Sequence, residues 1–200
     1  MAQLQIVRNV NFAAEMGADT VVLHAGRVMC RGFLRRWDMR RRVKRGRKMV
    51  DVFKREIEKL LPALEKNKVT LGLENLPYLE GFPAEWEMEG LVGDWVKPWL
   101  DTGHDFVRRV RKWNVPSLTS GKDSASPLDS VSPLIQPVGM HISDSQGDDD
   151  HLPPGEGRVD FPMLRPYAEK ARHLVFEPAA NVREADLRKG IDYIRRLWAD

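Results

Sequence analysis

Short apolar runs divide the chain and predict five strands. They are rich in valine, leucine and isoleucine, and Gly, Pro, Asn or Asp residues bound them, as is typical of buried strands. In chain order, the predicted strands lie in TVVLHAG, VTLGLEN, VKPWLDTGH, PVGMHISD and HLVFEP.

Apolar residues at helical spacing occupy much of the chain between these runs. The predicted helices cover Leu4 to Ala14, Met49 to Leu64, Phe106 to Trp113 and Leu187 to Trp198. We expect Gly17 to end the first helix and Pro62 to kink the second. The Ser- and Pro-rich segment VPSLTSGKDSASPLDSVSP predicts a loop. Because strands alternate with helices, we expect βαβ units with a parallel sheet in one domain, residues 1–200.

Composition limits the class of protein. The 200 residues are 42% hydrophobic and 30% charged, which fits one soluble, folded domain. No apolar run reaches the roughly 18 residues of a membrane span, and the N-terminus shows no signal peptide. Cys30 is the only cysteine, so no internal disulfide can form, and we expect a reducing, cytoplasmic setting.

The net charge of +3 conceals an uneven distribution. Residues 27–48 hold eleven of the 32 basic residues and one of the 29 acidic residues, a local balance of +10, so the remainder carries −7. Such a segment favours contact with phosphate, in a sugar phosphate or a nucleic acid. The alternative interpretation is a solvated loop that leads into the Met49–Leu64 helix.

A potential metal ligand follows each predicted strand, namely His24, Glu74, Asp101, His141 and Glu177. In a βα-barrel, the C-terminal ends of the strands form one rim that carries the active site. Since side chains alternate along a strand, we expect these ligands to point toward the barrel axis. For any one of them, a capping or hydrogen-bonding role is the alternative.

Burial of several carboxylates near one axis is unfavourable by several kcal/mol for each uncompensated charge. A divalent cation removes that penalty. Carboxylates with imidazole suit manganese, zinc, iron or cobalt better than calcium. Gly72 and Gly139 also face the axis in this arrangement, where their small size is expected to leave room.

The segment MHISDSQGDDDHLPPGEGRVDF, residues 140–161, combines carboxylates and imidazoles with prolines and glycines. It is either a solvated acidic loop or a source of further metal ligands. We expect Pro153, Pro154 and Gly155 to fix the path of the loop and Glu156 to approach the rim.

In order, GADTVVLHAGR, VTLGLEN, PWLDTGH, MHISDSQGDDDHLPPGEGRVDF and LVFEP resemble the motifs of the xylose isomerase-like TIM-barrel superfamily. That group includes sugar phosphate isomerases and epimerases and, more distantly, nucleases of the endonuclease IV type. The resemblance covers most of the chain from about Gly17 onward. It implies an α/β fold, a (β/α) barrel with helices outside the strands.

The resemblance also implies one divalent metal (Mn²⁺, Zn²⁺, Co²⁺ or Mg²⁺) bound by Glu74, Asp101, His141 and Glu177. Glu74 and Glu177 are implied to act as acid and base on opposite faces of the substrate carbon. His104 would contact a substrate hydroxyl, and Arg27 would bind a phosphate group.

The more distant nuclease resemblance implies further zinc ligands at His24, His104, Asp149 and His151. An abasic-site nuclease that binds DNA is therefore the alternative function. Its pattern is incomplete, because HAGR replaces the usual His-Pro-Gly and DTGHDFVRRV lacks the usual continuation.

A complete barrel of this kind has eight strands and about 250 residues, so five strands predict an incomplete one. We expect the first three βα units to be absent and two sheet edges to be open. A homo-oligomer that covers these edges is one expectation, and a non-catalytic remnant is a third interpretation. The first interpretation is a metal-dependent sugar or sugar phosphate isomerase or epimerase that works through an enediolate, without a membrane or nucleic-acid partner.

Overall fold

A computed structural model describes residues 2–28, 35–111, 136–148 and 151–199, without the side chains of residues 2–4, 35–41 and 85. The strands in this part of the chain are β1 (Thr20–Leu23), β2 (Thr70–Glu74), β3 (Val96–Asp101), β4 (Gly139–Ile142) and β5 (His173–Phe176). They form one sheet in the order β1-β2-β3-β4-β5. The β1/β2, β3/β4 and β4/β5 pairs are parallel. The five predicted strands are confirmed, and their order is that of successive βα units in an incomplete TIM barrel.

The helices of the described residues are α1 (Ala2–Glu15), α2 (Arg35–Asn67), α3 (Glu85–Met88), α4 (Thr102–Val110), α5 (Phe161–Ala168) and α6 (Glu184–Trp198). The four predicted helices are present, although Trp113, the Ser- and Pro-rich segment and Cys30 lie outside the described residues. Helices α3 and α5 were not predicted, because four and eight residues are too few to show a helical period. Of the helices described, none has the length and apolar character needed to cross a membrane.

Helix α2 is longer than its apolar stripe indicated. It begins at Arg35 and continues through Pro62 to Asn67. The kink at Pro62 stays a prediction. The basic segment is therefore helical from Arg35 onward, which corrects the solvated-loop interpretation. Arg and Lys have good helix propensity, and burial of Arg42 against Glu87 anchors this half of the helix to the rest of the unit.

The described residues pack into two compact units. The first comprises Met1–Glu74 and Glu80–Pro98, and the second comprises Asn75–Leu79 and Trp99–Asp200. The single domain over residues 1–200 stays a prediction.

In the first unit, α1 packs against α2 and against β1, which pairs with β2. Gly17 has a φ of +77° and ends α1 as predicted, since its N–H donates to the Ala14 carbonyl at 3.0 Å. The core consists of apolar side chains from α2, β2 and the following segment, namely Ile57, Leu60, Leu64, Leu71, Leu73 and Phe82. This core supports the full burial of β2, which carries Glu74 at its end.

A buried ion pair joins α2 to the segment around α3 in the first unit. The Arg42 guanidinium donates to both carboxylate oxygens of Glu87, at 2.6 and 2.9 Å, and to the Gly81 carbonyl at 2.6 Å. Glu87 also accepts from the Ala84 N–H at 2.8 Å. Gly46 lies against this carboxylate, where a Cβ atom would overlap it. The pair therefore needs a glycine on the neighbouring turn of α2.

In the second unit, one face of the strands packs against α5 and α6. Met140 and Ile142 of β4 are buried with Phe161 and Leu164 of α5 and Ile194 of α6. Side chains alternate along a strand, so the residues between them point to the opposite face. The predicted alternation of side chains between two faces therefore holds in β4.

The two outer strands of the sheet are less buried than its centre. All five residues of β2 are buried, whereas no residue of β1 is fully buried. Leu174 and Val175 of β5 are 43% and 44% exposed. Within the described part of the chain, both outer strands are thus less buried than β2, as an incomplete barrel predicts.

Candidate metal centre

Three potential ligands converge at the C-terminal ends of β3, β4 and β5. Asp101 ends β3, His141 lies in β4, and Glu177 follows β5. Each offers one ligand atom, and these atoms lie within 4.8 Å of one another. His141 Nδ1 and Glu177 Oε2 are 2.9 Å apart. Two carboxylates and an imidazole at this spacing fit a divalent cation such as zinc or manganese.

Hydrogen bonds fix the orientation of the Asp101 carboxylate. Its Oδ1 accepts from the His104 N–H at 2.7 Å and from the Ser143 hydroxyl at 3.2 Å. The Asn75 side chain accepts from the Asp101 N–H at 2.7 Å and donates to its carbonyl at 3.0 Å. Asn75 therefore continues the hydrogen-bond ladder beyond the end of β2. Such support orients a ligand before any cation binds.

The motif DTGH, residues 101–104, ties the end of β3 to β4. The Thr102 hydroxyl donates to the Ser143 carbonyl at 2.6 Å and accepts from its N–H at 3.0 Å. A Cβ atom on Gly103 would lie 2.5 Å from the Ser143 hydroxyl oxygen, so a larger residue does not fit. This close approach brings the start of α4 against the end of β4.

A second group of potential ligands lies in the same unit. Asp101, His104 and His151 each offer a ligand atom, again within 4.8 Å of one another. The two Nε2 atoms of the histidines are 3.2 Å apart. Asp149, the other predicted ligand of this loop, lies outside the described residues.

The surroundings of His104 and His151 determine their tautomers. His104 Nδ1 lies 2.8 Å from the Asn75 carbonyl, and His151 Nδ1 lies 3.2 Å from the Glu177 carbonyl. A carbonyl only accepts, so each Nδ1 carries a hydrogen and each neutral ring presents Nε2 as an acceptor. The two Nε2 atoms, 3.2 Å apart, would then be two acceptors that face each other. They require a positive charge between them, which a proton or a metal cation supplies.

In the first unit, His24 and Glu74 lie within hydrogen-bond distance of each other. His24 Nε2 and Glu74 Oε2 are 2.9 Å apart. The Glu74 side chain is 1% exposed, whereas that of His24 is 59% exposed.

Arg27 is exposed, and its backbone pairs with Gly81 in an antiparallel bridge. In the second unit, Glu156 is exposed on a turn in which its N–H donates to the Pro153 carbonyl. The substrate contacts of Arg27 and Glu156 stay predictions.

Trp99 occupies the space next to Gly139 that the sequence analysis expected to be open. The indole ring meets the His141 ring edge to face, with centroids 5.1 Å apart, and stacks on His173 at 6.2 Å. A Cβ atom on Gly139 would overlap the indole. The glycine therefore makes room for Trp99, which in turn supports the His141 ring.

We expect Gly139→Ala to displace Trp99 and disturb His141. Overpacking of this kind destabilises a core by about 1–3 kcal/mol, and the metal affinity should fall with it. Urea denaturation and calorimetric titration with manganese measure the two effects. Gly93→Ala is the matched control, since nothing lies within 4 Å of a Cβ atom there. Equal behaviour of the two variants would contradict this account of Trp99.

The supporting residues Asn75, Ser143 and Trp99 were not predicted from the sequence. Two of them lie directly beside a predicted ligand, in LEN and HISD, so adjacency to the ligands was an available signal. No pattern in the sequence distinguishes Trp99 from an ordinary core residue.

Comparisons with known proteins agree with the fold of an incomplete TIM barrel. The family described as xylose isomerase-like TIM barrel matches residues 2–197. A D-tagatose 3-epimerase-like protein superposes with a TM-score of 0.68 at 18% identity, over 97% of this chain and 67% of its own. A D-psicose 3-epimerase from Clostridium cellulolyticum H10 gives 0.62 at 14% identity, over 98% and 70%. A Thermus thermophilus protein soaked with ZnCl2 gives 0.58 at 21% identity, over 96% and 66%.

The chain thus spans about two thirds of the length of these solved structures. No curated protein matches it in sequence. Identities this low establish a shared fold, and the fold is that of the family that matches residues 2–197.

Proposed function

The chain belongs to the xylose isomerase-like TIM barrel family, and on that premise we propose that it is a divalent-metal-dependent sugar isomerase or epimerase. The observation that carries the proposal is the convergence of Asp101, His141 and Glu177 at three successive strand ends. The sugar epimerases among its structural neighbours support the same class of reaction.

Glu74 is the fourth ligand in this proposal. The support is its place at the end of β2 and the bonding of the next residue, Asn75, to the backbone of Asp101. Three carboxylates and one imidazole suit Mn²⁺, Zn²⁺, Co²⁺ or Mg²⁺. Such a cation, when bound, supplies Lewis-acid stabilisation of the negative charge that develops on the sugar oxygens.

The side chains of the chain itself move the protons. One of Glu177 and Glu74 removes the proton from the carbon beside the sugar carbonyl, which gives the enediolate, and the other returns a proton to it. His104, with its Nδ1 hydrogen directed to a backbone carbonyl, contacts a substrate hydroxyl through Nε2. That contact requires the His151 ring, whose Nε2 lies 3.2 Å away, to move aside. Arg27 binds a phosphate if the substrate carries one, and Glu156 contacts the sugar from its loop.

Hydrogen exchange at carbon tests the proposal directly. The protein is loaded with manganese and incubated in D2O with a panel of ketoses and ketose phosphates. We expect deuterium at the carbon beside the carbonyl of at least one sugar, detected by NMR. The control is the same protein after metal removal with EDTA. A folded, metal-loaded sample that exchanges none of the sugars contradicts the proposal.

The histidine pair supports a second candidate function. A cation between His104 and His151, and another at His24, would give the several metal ions of an abasic-site nuclease. Metal counting by mass spectrometry separates the candidates, because the sugar enzyme needs one ion per chain and the nuclease needs three. Cleavage of an abasic DNA duplex is the direct assay. We expect one ion to stay bound through dialysis, zinc to enter the histidine pair only when it is added in excess, and no cleavage.

A second copy of the chain is proposed to cover the outer strands. The exposure of Leu174 and Val175 on β5 supports this part of the proposal. Light scattering of the purified chain is expected to give at least twice the mass of 22.9 kDa. A monomer at all concentrations contradicts it.

A further inference from the structure

The carboxylate of Asp144 is surrounded by backbone N–H groups of the loop that joins β4 to α5. Its Oδ1 accepts from Ser145 at 2.8 Å and Val159 at 2.9 Å, and its Oδ2 accepts from Gly155 and Gly157, both at 2.9 Å. Asp144 is 1% exposed. Four hydrogen bonds use the acceptor capacity of an ionised carboxylate. The loop is therefore wound around this one side chain.

Two glycines permit the winding. Gly155 has a φ of +93°, in the left-handed region that favours glycine. A Cβ atom on Gly157 would overlap the Asp144 carboxylate. The Gly-Glu-Gly motif of the sequence is thus explained by the close approach of backbone to carboxylate.

The backbone of Asp144 also fixes the residue next to His151. The N–H of Asp144 donates to the Leu152 carbonyl at 2.8 Å, and the Leu152 N–H donates back at 2.9 Å. His151 has a φ of +42°, and its carbonyl accepts from the Ala179 N–H at 3.0 Å. The place of the His151 imidazole therefore depends on the path of this loop.

We propose that Asp144 is a positioning residue that, through the loop wound around its carboxylate, sets His151 against His104. Its consequences for metal binding rest on the proposed function, whereas the positioning itself does not. Asp144 touches neither imidazole in this scheme and acts only through the backbone. It couples β4, which carries His141, to the loop that carries His151.

Asp144→Asn tests the proposal with almost no change of shape. The new amide nitrogen faces two N–H donors where an oxygen accepted, so two of the four hydrogen bonds are lost. We expect the affinity of the His104/His151 pair for zinc to fall by about 10–100-fold, the usual effect of losing a supporting residue. Asp160→Asn is the matched control, because Asp160 caps α5 through one exposed bond to the Met163 N–H. We expect the control to bind zinc as the wild type does.

A double-mutant cycle with His151→Asn distinguishes positioning from general damage. Asn tolerates the left-handed backbone of residue 151, so the loop is retained. If Asp144 acts through His151, Asp144→Asn has little further effect on zinc binding in the His151→Asn background. Additive losses in the double variant overturn the proposal.

A metal-free readout keeps the test independent of the proposed function. In Asp144→Asn, we expect the amides of Gly155, Gly157 and Val159 to lose hydrogen-exchange protection, and the ring ¹⁵N signals of His104 and His151 to shift. The β4 amides should keep their protection. Unchanged ring signals, or loss of protection throughout the chain, overturn the proposal. Failure of the proposed function would appear separately, as a wild type that turns over no sugar.

Discussion

Glu177→Gln is expected to lower the rate at which the sugar takes up deuterium by about 10²–10⁴-fold, the usual contribution of a positioned acid or base. Glutamine has the size of glutamate but is not basic, so it cannot accept the proton. Glutamine also binds a divalent cation more weakly than glutamate does. The cation site includes His141, and the Nδ1 atom of His141 lies 2.9 Å from the Glu177 carboxylate. The measurement is kcat/KM for exchange, together with the metal content of each sample.

Glu169→Gln provides the matched control. Glu169 is an exposed carboxylate that pairs with Arg165 at 2.7 Å on the surface, and we expect its loss to leave exchange unchanged. Metal content separates the two roles of Glu177, because a variant that retains its cation but not its rate has lost the base alone. Full exchange by metal-loaded Glu177→Gln would show that another group moves the proton.

Arg42→Ala is expected to lower the free energy of unfolding by about 3–5 kcal/mol, because it leaves Glu87 buried without its guanidinium. Both side chains of this ion pair are at most 2% exposed. The change also removes the hydrogen bond to the Gly81 carbonyl. Urea denaturation measures the effect, and loss of structure around α3 should appear as faster amide exchange at Glu87.

Arg188→Ala tests whether burial is the cause. The Arg188–Glu184 pair joins the same types of group on α6, but its side chains are 73% and 76% exposed. Surface pairs contribute about 0–1 kcal/mol, so we expect little change. The double variant Arg42→Ala/Glu87→Ala should lose less stability than the sum of its two single variants, since neither charge is then buried alone. A loss in Arg42→Ala no larger than in Arg188→Ala contradicts this account.

The strands and their polar ends were predictable because both depend on local sequence. A buried parallel strand needs a short apolar run, and its side-chain alternation then fixes which residues share a face. The places of Asp101 and His141 on β3 and β4 were predicted in this way. The parallel sheet followed from the alternation of strands with helices, which is typical of βαβ units.

The residues that support the site depend on partners distant in sequence, which no local pattern encodes. The Asp144 carboxylate binds backbone N–H groups as far away as Val159, and Asn75 binds the backbone of Asp101. The helical start of α2 was missed for the same reason. Arg42 looks like a solvated cation in a basic run, and only the packing of Glu87 against it shows otherwise.

The left-handed backbone at His151 restricts how this position can change during evolution. A β-branched or bulky residue is strained at a φ of +42°, whereas Asn, Asp and Gly are tolerated there. Descendants that dispense with the second imidazole should therefore carry one of those three residues in place of His151. The backbone conformation of one residue thus limits which substitutions are tolerated in place of His151.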